Sequence, residues 1–349
     1  MSAVKLDGRT LEGGGQLLRN AICLSALTGT PVEIDNIRGN RSSGGGLKAQ
    51  HLACVNWLAV ACNAKVTGGE KGSKALIFAP EMQEGSKSPA YKQLDDPYHF
   101  ESTVDIGTAG STGLVLQAVL PYILFAPPRT ATHIRLRVSG GTNVSGSPSY
   151  EYLTQVLLPI LETIGLPAIT ASLQARGWST GRSTPGSFVL DIPISHTRPL
   201  PAFALRPSDK SKKPTKPTRL QVTFLGPHSC HEHLRLVLVP AIQHYFGLAY
   251  KPGTSNLSVN CEDSGDDKRL YLIIMAIVAA PEDKIKEYRL ARDWLYDRKK
   301  HTAAYAAECT LIVCRPPKFP AQRALSLRHY RLCTPLRLST QQHHHLDRD

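Results

Sequence analysis

An internal duplication constrains this chain more than any other feature of its sequence. A repeat of amphipathic helices and strands leaves apolar faces that one copy cannot cover, so neighbouring copies must share a core. The first copy covers about residues 3–80. A strand from Val4 to Gly8 leads into the turn Glu12-Gly-Gly-Gly15. A helix follows from Gln16 and stops at Gly29, a residue suited to a left-handed cap. Next come a strand (Pro31 to Gly39), a Gly/Ser loop (Arg41 to Gly46), a helix (Leu47 to Ala64) and two closing strands, Ala64 to Gly72 and Ser73 to Pro80.

The second copy repeats this order over about residues 101–194. Its strand, Ser102 to Gly107, enters the small-residue turn Thr108-Ala-Gly-Ser-Thr112 and a helix from Gly113 to Ala126. The strand Thr132 to Gly140 and the loop Gly140-Gly-Thr-Asn143 come next. A second helix from Ser149 to Gly165 precedes the strands Ile169 to Trp178 and Ser187 to Ile194. Each copy reads βαβαββ, and the helices carry apolar residues at i, i+3, i+4 and i+7. The class is therefore α/β (α+β), with the repeats forming a large domain over residues 1–195.

Residues 196–219 read as a linker, because Arg206 to Arg219 is rich in Pro, Lys and Ser and has no apolar period. Residues 220–300 read as a small second α/β domain. Its parts are a strand (Leu220 to Gly226), an amphipathic helix (His231 to Gly247), an apolar strand (Leu270 to Ala280) and a charged helix (Glu282 to Lys300). Residues 301–349 lose the pattern, with repeated Pro and basic residues and no element of useful length. A disordered tail or a shifted reading frame after Lys300 would each produce that change.

Composition narrows the setting. The formal net charge of +13 favours polyanionic partners such as RNA or DNA. The eight cysteines include no C-x-x-C pair, and Cys23, Cys54 and Cys62 fall in apolar helical patterns, so reduced thiols are expected. No apolar run reaches membrane-spanning length and the N-terminus has no signal-peptide core, which predicts a nuclear or cytoplasmic protein without a membrane partner.

The candidate chemistry lies at the strand-to-helix turns. Glu12 to Gln16 would let backbone approach an anion at a helix N-terminus, with Arg19 one turn further on. Arg38 and Arg41 flank a glycine-rich loop and could grip a phosphate at two points. Gln50 and His51 begin the next helix, His51 reading as structural, and Gln117 sits on the matching helix of the second copy. Pseudo-symmetry would gather these turns at one end of the sheets, where open α/β folds bind ligands. The segment His228-Ser-Cys-His-Glu-His233 fits no standard zinc spacing, so no metal site is assigned.

Four blocks taken together resemble the RNA 3′-terminal phosphate cyclase family: LDG with EGGGQLLR, IRGNR with GLKAQHL, DIGTAGSTGLVLQAVLP, and VSGGTN. The resemblance extends over about residues 3–195, with RGWSTGR and GSFVLDI also similar. It implies a repeat domain carrying an inserted small α/β domain, here residues 220–300. The implied reaction uses ATP and a divalent metal, Mg or Mn, to convert an RNA 3′-phosphate end to a 2′,3′-cyclic phosphate. A histidine takes up AMP, the AMP passes to the 3′-phosphate, and the vicinal 2′-hydroxyl displaces it. By motif position, Glu12, Arg19, Arg38, Arg41, Gln50 and Gln117 would line the nucleotide and RNA-phosphate site, with Gln117 against the adenylate. The family's histidine segment and its Asp-Gln pair, both in a third repeat, have no recognisable counterpart. His301 and His329 lack the right surroundings, so no nucleophile is nominated. The cyclase-like branch of the family implies the alternative, an inactive RNA-binding protein in RNA processing or ribosome assembly. Either role points to the nucleoplasm or nucleolus, with the cytoplasm as the other compartment.

Overall fold

The computed structural model describes residues 2–11, 13–42, 44–81, 88–195, 200, 202–203, 217–240, 242, 256–279 and 287–296. They all belong to one compact unit, Met1–Pro316. The expected tail, 301–349, lies outside the described residues, as does most of the expected linker.

The duplication is visible in the topology. The first copy holds strands β1 (Val4–Asp7), β2 (Val32–Asp35), β3 (Lys65–Thr67) and β4 (Leu76–Ala79), with helices α1 (Gly15–Thr28) and α2 (Ala49–Ala61). Its sheet runs β1-β2-β4-β3, with β1 and β2 parallel and the other pairs antiparallel. The second copy holds β5 (Lys92–Gln93), β6 (His99–Asp105), helix α3 (Thr112–Phe125), β7 (His133–Gly140), β8 (Thr170–Ala175) and β9 (Gly186–Pro193). Its order, β5-β6-β7-β9-β8, is the same pattern with the short β5 added at one edge. Between β7 and β8, the second helix consists of α4 (Tyr150–Tyr152), a π turn (Leu153–Leu157) and α5 (Leu158–Thr163).

One apolar core serves both copies, as the separate amphipathic faces require. Leu18, Ile22, Val55 and Leu58 of the first copy and Val115, Val119, Leu136 and Leu190 of the second belong to the same buried cluster. Helices α1, α2 and α3 pack on one another. Trp57 of α2 crosses between copies, its indole N–H donating to Ser102 Oγ of β6 at 3.0 Å. Its ring meets Tyr91 and Tyr122 edge-on, with centroids 5.9 and 6.0 Å away. On the outward face of the first sheet Lys5 and Glu33 lie side by side on β1 and β2, with the exposed Ile77 of β4 next in the row.

The third sheet differs. It comprises β10 (Arg219–Gly226), β11 (Leu257–Asp263), β12 (Tyr271–Ala279) and β13 (Glu287–Leu295), in the order β11-β10-β12-β13. Here the first strand is internal and the second is an edge, the reverse of both repeats, so this is not a third βαβαββ copy. Strand β12 is buried on both faces. Leu272, Ile274 and Ala276 pack with Leu234 and Leu238 of the helical segment that follows β10, which contains α6 (His231–His233) and a π turn (Leu234–Leu238). Tyr271, Ile273, Met275 and Ile277 pack with Val156 and Trp178 of the second repeat.

The charged helix expected over Glu282 to Lys300 is corrected. Residues 287–295 form β13, paired antiparallel along the length of β12. An apolar strand such as β12 needs a hydrogen-bonding neighbour at its open edge. That pairing outweighs the helix propensity of Glu, Lys and Arg. Both π turns precede a proline, Pro159 and Pro240. Pro159 has no N–H for the carbonyl of Gln155, which instead accepts from Arg289 Nη1 of β13 at 3.4 Å.

Buried polar groups join the third sheet to the second repeat. Arg176 Nη1 donates to Glu151, while its Nε and Nη2 engage the Glu262 carboxylate of β11. Burial opposes the charge on Arg176, but Glu262 and Glu151 together raise its pKa. Tyr271 Oη is 2.6 Å from Ser149 Oγ and donates to Asp293 Oδ2 at 3.2 Å. Burial raises the Asp293 carboxyl to about 6, against the opposing Tyr271 hydrogen bond, and the Glu151 charge adds to the rise.

Three outcomes are expected. Arg176→Ala leaves Glu151, only 4% exposed, with an uncompensated charge, and denaturant melts should show a loss of about 3 kcal/mol. Glu262→Gln, at a carboxylate 44% exposed, should lose under about 1 kcal/mol. Asp293 binds its proton more tightly folded than unfolded, so its contribution is complete below about pH 4 and is lost as pH rises through about 6. Asp293→Asn should therefore gain on wild type by about 2–3 kcal/mol between pH 4 and pH 7 in parallel melts.

Candidate functional site

Helix α1 starts after an extended Gly14, which provides no side-chain cap, and its first turn contains no acidic residue. The first N–H groups of such a helix carry partial positive charge. Gly13, at φ +60°, packs so closely on Asn40 that a side chain would overlap it. The Asn40 amide in turn donates to the Arg9 carbonyl at 2.7 Å. The glycine turn is thus held by the loop after β2. Glu12 lies outside the described residues.

The copies meet at this end of the sheets through two polar contacts. Arg19, 5% exposed, donates from Nε to Gln117 Oε1 of α3 at 3.0 Å. Gln50 Oε1, at the start of α2, accepts from the Ser111 backbone N–H at 3.1 Å. Ser111 caps α3 through Oγ, which accepts from the Leu114 N–H at 3.1 Å. Arg19 is thus joined to Gln117, and Gln50 to Ser111. Ser111 was not singled out from the sequence, although a serine three residues before a helical N–H is an ordinary capping signal.

The loop arginines divide. Arg38 is 7% exposed and adopts φ +58°. Its Nη1 donates to the carbonyls of Gly46 at 3.0 Å and Gly44 at 3.4 Å, and burial lowers its pKa. It holds the glycine-rich loop in shape. Arg41 is exposed, and its backbone N–H donates to the Arg38 carbonyl at 3.1 Å.

His51 packs at the centre, 2% exposed. Its Nδ1 accepts the Lys48 N–H at 3.0 Å, which caps α2 and places the neutral ring's proton on Nε2. Burial pushes its pKa down to about 3, and Arg19, Arg38 and Lys48 add to the shift. The side chain is neutral at pH 7.

The loop of the second copy serves the fold. Thr142 and Asn143 are fully buried. Thr142 Oγ1 donates to Asn143 Oδ1 at 2.7 Å, and Asn143 Nδ2 donates to Glu151 Oε2 at 2.9 Å. His231 contacts backbone, with Nε2 2.9 Å from the Gly226 carbonyl. Among the described residues, no group of three His, Cys, Asp or Glu side chains could hold a metal ion. Among them, too, no helix is long and apolar enough to cross a membrane. His301 and His329 lie outside the described residues.

The sequence profile of the RNA 3′-terminal phosphate cyclases matches residues 10–289. The chain is 44% identical over 161 residues to the RNA 3′-terminal phosphate cyclase of Pyrococcus furiosus, covering 46% of this chain and 42% of that protein. It is 39% identical over 175 residues to that of Methanosarcina mazei, covering 50% and 44%. It is 41% identical over 165 residues to that of Saccharolobus islandicus, covering 47% and 43%. The match spans less than half the length of each of these relatives. With the repeat topology and the profile in agreement over most of its length, the chain belongs to the RNA 3′-terminal phosphate cyclase family.

Proposed function

We propose that this protein converts an RNA 3′-phosphate end to a 2′,3′-cyclic phosphate at the expense of ATP. The observation that carries this reading is the buried Arg19 guanidinium, held on Gln117, near the uncapped N-terminus of α1. Such a donor set suits phosphate oxygens, since a guanidinium fork and helix amides both favour anions. Gln117, held by Arg19, would orient the adenylate of ATP. ATP yields AMP with release of pyrophosphate, and transfer of that AMP to the 3′-phosphate makes a good leaving group. The vicinal 2′-hydroxyl oxygen then bonds to that phosphorus, AMP departs, and the hydroxyl proton passes to solvent.

The described residues include no cluster suited to a metal ion, and no step is derived through one. Magnesium or manganese would be carried by the triphosphate itself. The nucleophile that takes up AMP is not assigned. His51 is unsuited to it, because Nδ1 is engaged by the Lys48 N–H and the ring is 2% exposed. This favours a second reading, in which the chain holds RNA ends without converting them and works in RNA processing or ribosome assembly. The relatives compared are archaeal. A nuclear location belongs to this proposal only for a eukaryotic host.

The test is an end-conversion assay with ATP, magnesium and RNA labelled in its 3′-phosphate. The proposal predicts that the label becomes phosphatase-resistant. Arg19→Ala should lower kcat/KM by about 10- to 100-fold, the worth of a charge-assisted hydrogen bond. The exposed Lys5→Ala should leave it unchanged. Full binding of labelled RNA with no conversion would select the second reading.

A further inference from the structure

We propose that strand β1 is a homodimer interface, pairing antiparallel with β1 of a second copy of this chain about a two-fold axis at Leu6. This surface is independent of the chemistry proposed at the α1 turn. β1 ends the first sheet, whose order is β1-β2-β4-β3. Its even-numbered residues face β2: the N–H groups of Val4 and Gly8 donate to the Pro31 and Asp35 carbonyls at 2.9 and 2.7 Å. In a parallel ladder the alternate residues, here Lys5 and Asp7, then direct their N–H and C=O groups to the open edge. Val4 and Leu6 lie in register with the buried Val32 and Ile34, on the core-facing side of the sheet. Yet Val4 is 46% exposed and Leu6 only half-buried, because no strand lies beyond them among the described residues. An edge with unpaired backbone and uncovered apolar side chains is suited to receive another strand.

Charge selects a second copy as the partner, because Lys5-Leu6-Asp7 is complementary to itself. Only a register that sets odd-numbered residues against odd-numbered ones joins the outward backbone groups. The register centred on Leu6 places each Lys5 against the partner's Asp7, each pair exchanging backbone hydrogen bonds. The Asp7 carbonyl already accepts the Thr10 N–H at 3.0 Å and keeps a second lone pair. The same register brings the two Leu6 side chains together on the core-facing side and sets Val4 against a glycine, the partner's Gly8. Centring on Lys5 instead would oppose two ammonium groups, which is unfavourable for a pair directly across the ladder. On the outward face Lys5 touches Glu33 at 3.3 Å, while Asp7 stands beside Asp35 of β2. Pairing sets Lys5 between Glu33 and the partner's Asp7, and gives the adjoining Asp7 and Asp35 a cation in addition to Arg9. The opposite edge, β3, reads Lys65-Val66-Thr67 and has no such pattern, its Lys65 being matched to Glu81.

Sedimentation velocity of the full chain over a rising concentration series, with melting temperatures measured in parallel, provides the test. The wild type should pass from the mass of one chain to that of two. Truncation at Lys5 leaves the backbone ladder intact, whereas reversing a charge opposes it. Lys5→Asp and Asp7→Lys should each weaken self-association about 10-fold or more, because both symmetric pairs turn from attractive to repulsive. An equimolar mixture of the two variants again sets opposite charges against each other in both pairs. It should associate with a Kd within about 3-fold of wild type, a recovery that a fold damaged by either change would not show. A wild type with the mass of one chain throughout would overturn the proposal. So would dimers indifferent to both reversals, since they would form through another surface. A mixture that associates no better than its components would overturn it as well, by excluding the register centred on Leu6.

Discussion

The hydrogen bond from Arg19 to Gln117 is the constraint on which the site depends. It forms between residues 98 apart in sequence, on helices of different repeats, with Arg19 nearly excluded from water. A buried guanidinium that lost this acceptor would carry a desolvation penalty, so α1 and α3 must keep their relative register. The Gln50 to Ser111 contact fixes the same register from α2. Between them they determine where the N-terminus of α1 lies and what surrounds it. The shared apolar core supplies the driving force for association, but it is the polar pair that selects one alignment of the repeats.

Symmetry between the repeats stops at their loops. In the first copy, the loop after β2 is shaped by Arg38, whose guanidinium is turned inward onto Gly44 and Gly46. In the second, Thr142 and Asn143 hold Glu151, which anchors Arg176 and thereby the third sheet. One copy thus turns its loop arginine onto its own glycines, and the other uses the equivalent loop to carry an added sheet. The strand order of that sheet, with its first strand internal, shows that it is a separate addition and not a further repeat.

Much of this was legible in the sequence because period and punctuation agreed. Gly29 ends α1 at φ +70°, as its place after an apolar helix implied. The βαβαββ order followed from alternating patterns in both copies. What stayed hidden depended on partners distant in the chain. β13 reads as a charged helix until β12 is known to need an edge. Thr142 and Asn143 look like a ligand loop because burial leaves no trace in a Gly-Thr-Asn string. His51 looks like an ordinary core histidine, and the Lys48 N–H bound to Nδ1 is what distinguishes its two nitrogens. Arg38 and Arg41, adjacent to one glycine loop, differ in burial for a reason no local pattern contains.

The most direct test of the account is a double-mutant cycle on Arg19 and Gln117, read as affinity for an RNA ending in a 3′-phosphate. If these side chains act as one donor set across the repeats, Arg19→Ala and Gln117→Ala should show a coupling of about 1 kcal/mol or more, each single change removing most of what the double change removes. Additivity within about 0.3 kcal/mol would mean that the two residues meet the ligand independently or not at all, and would contradict the claim that the repeats build a single site.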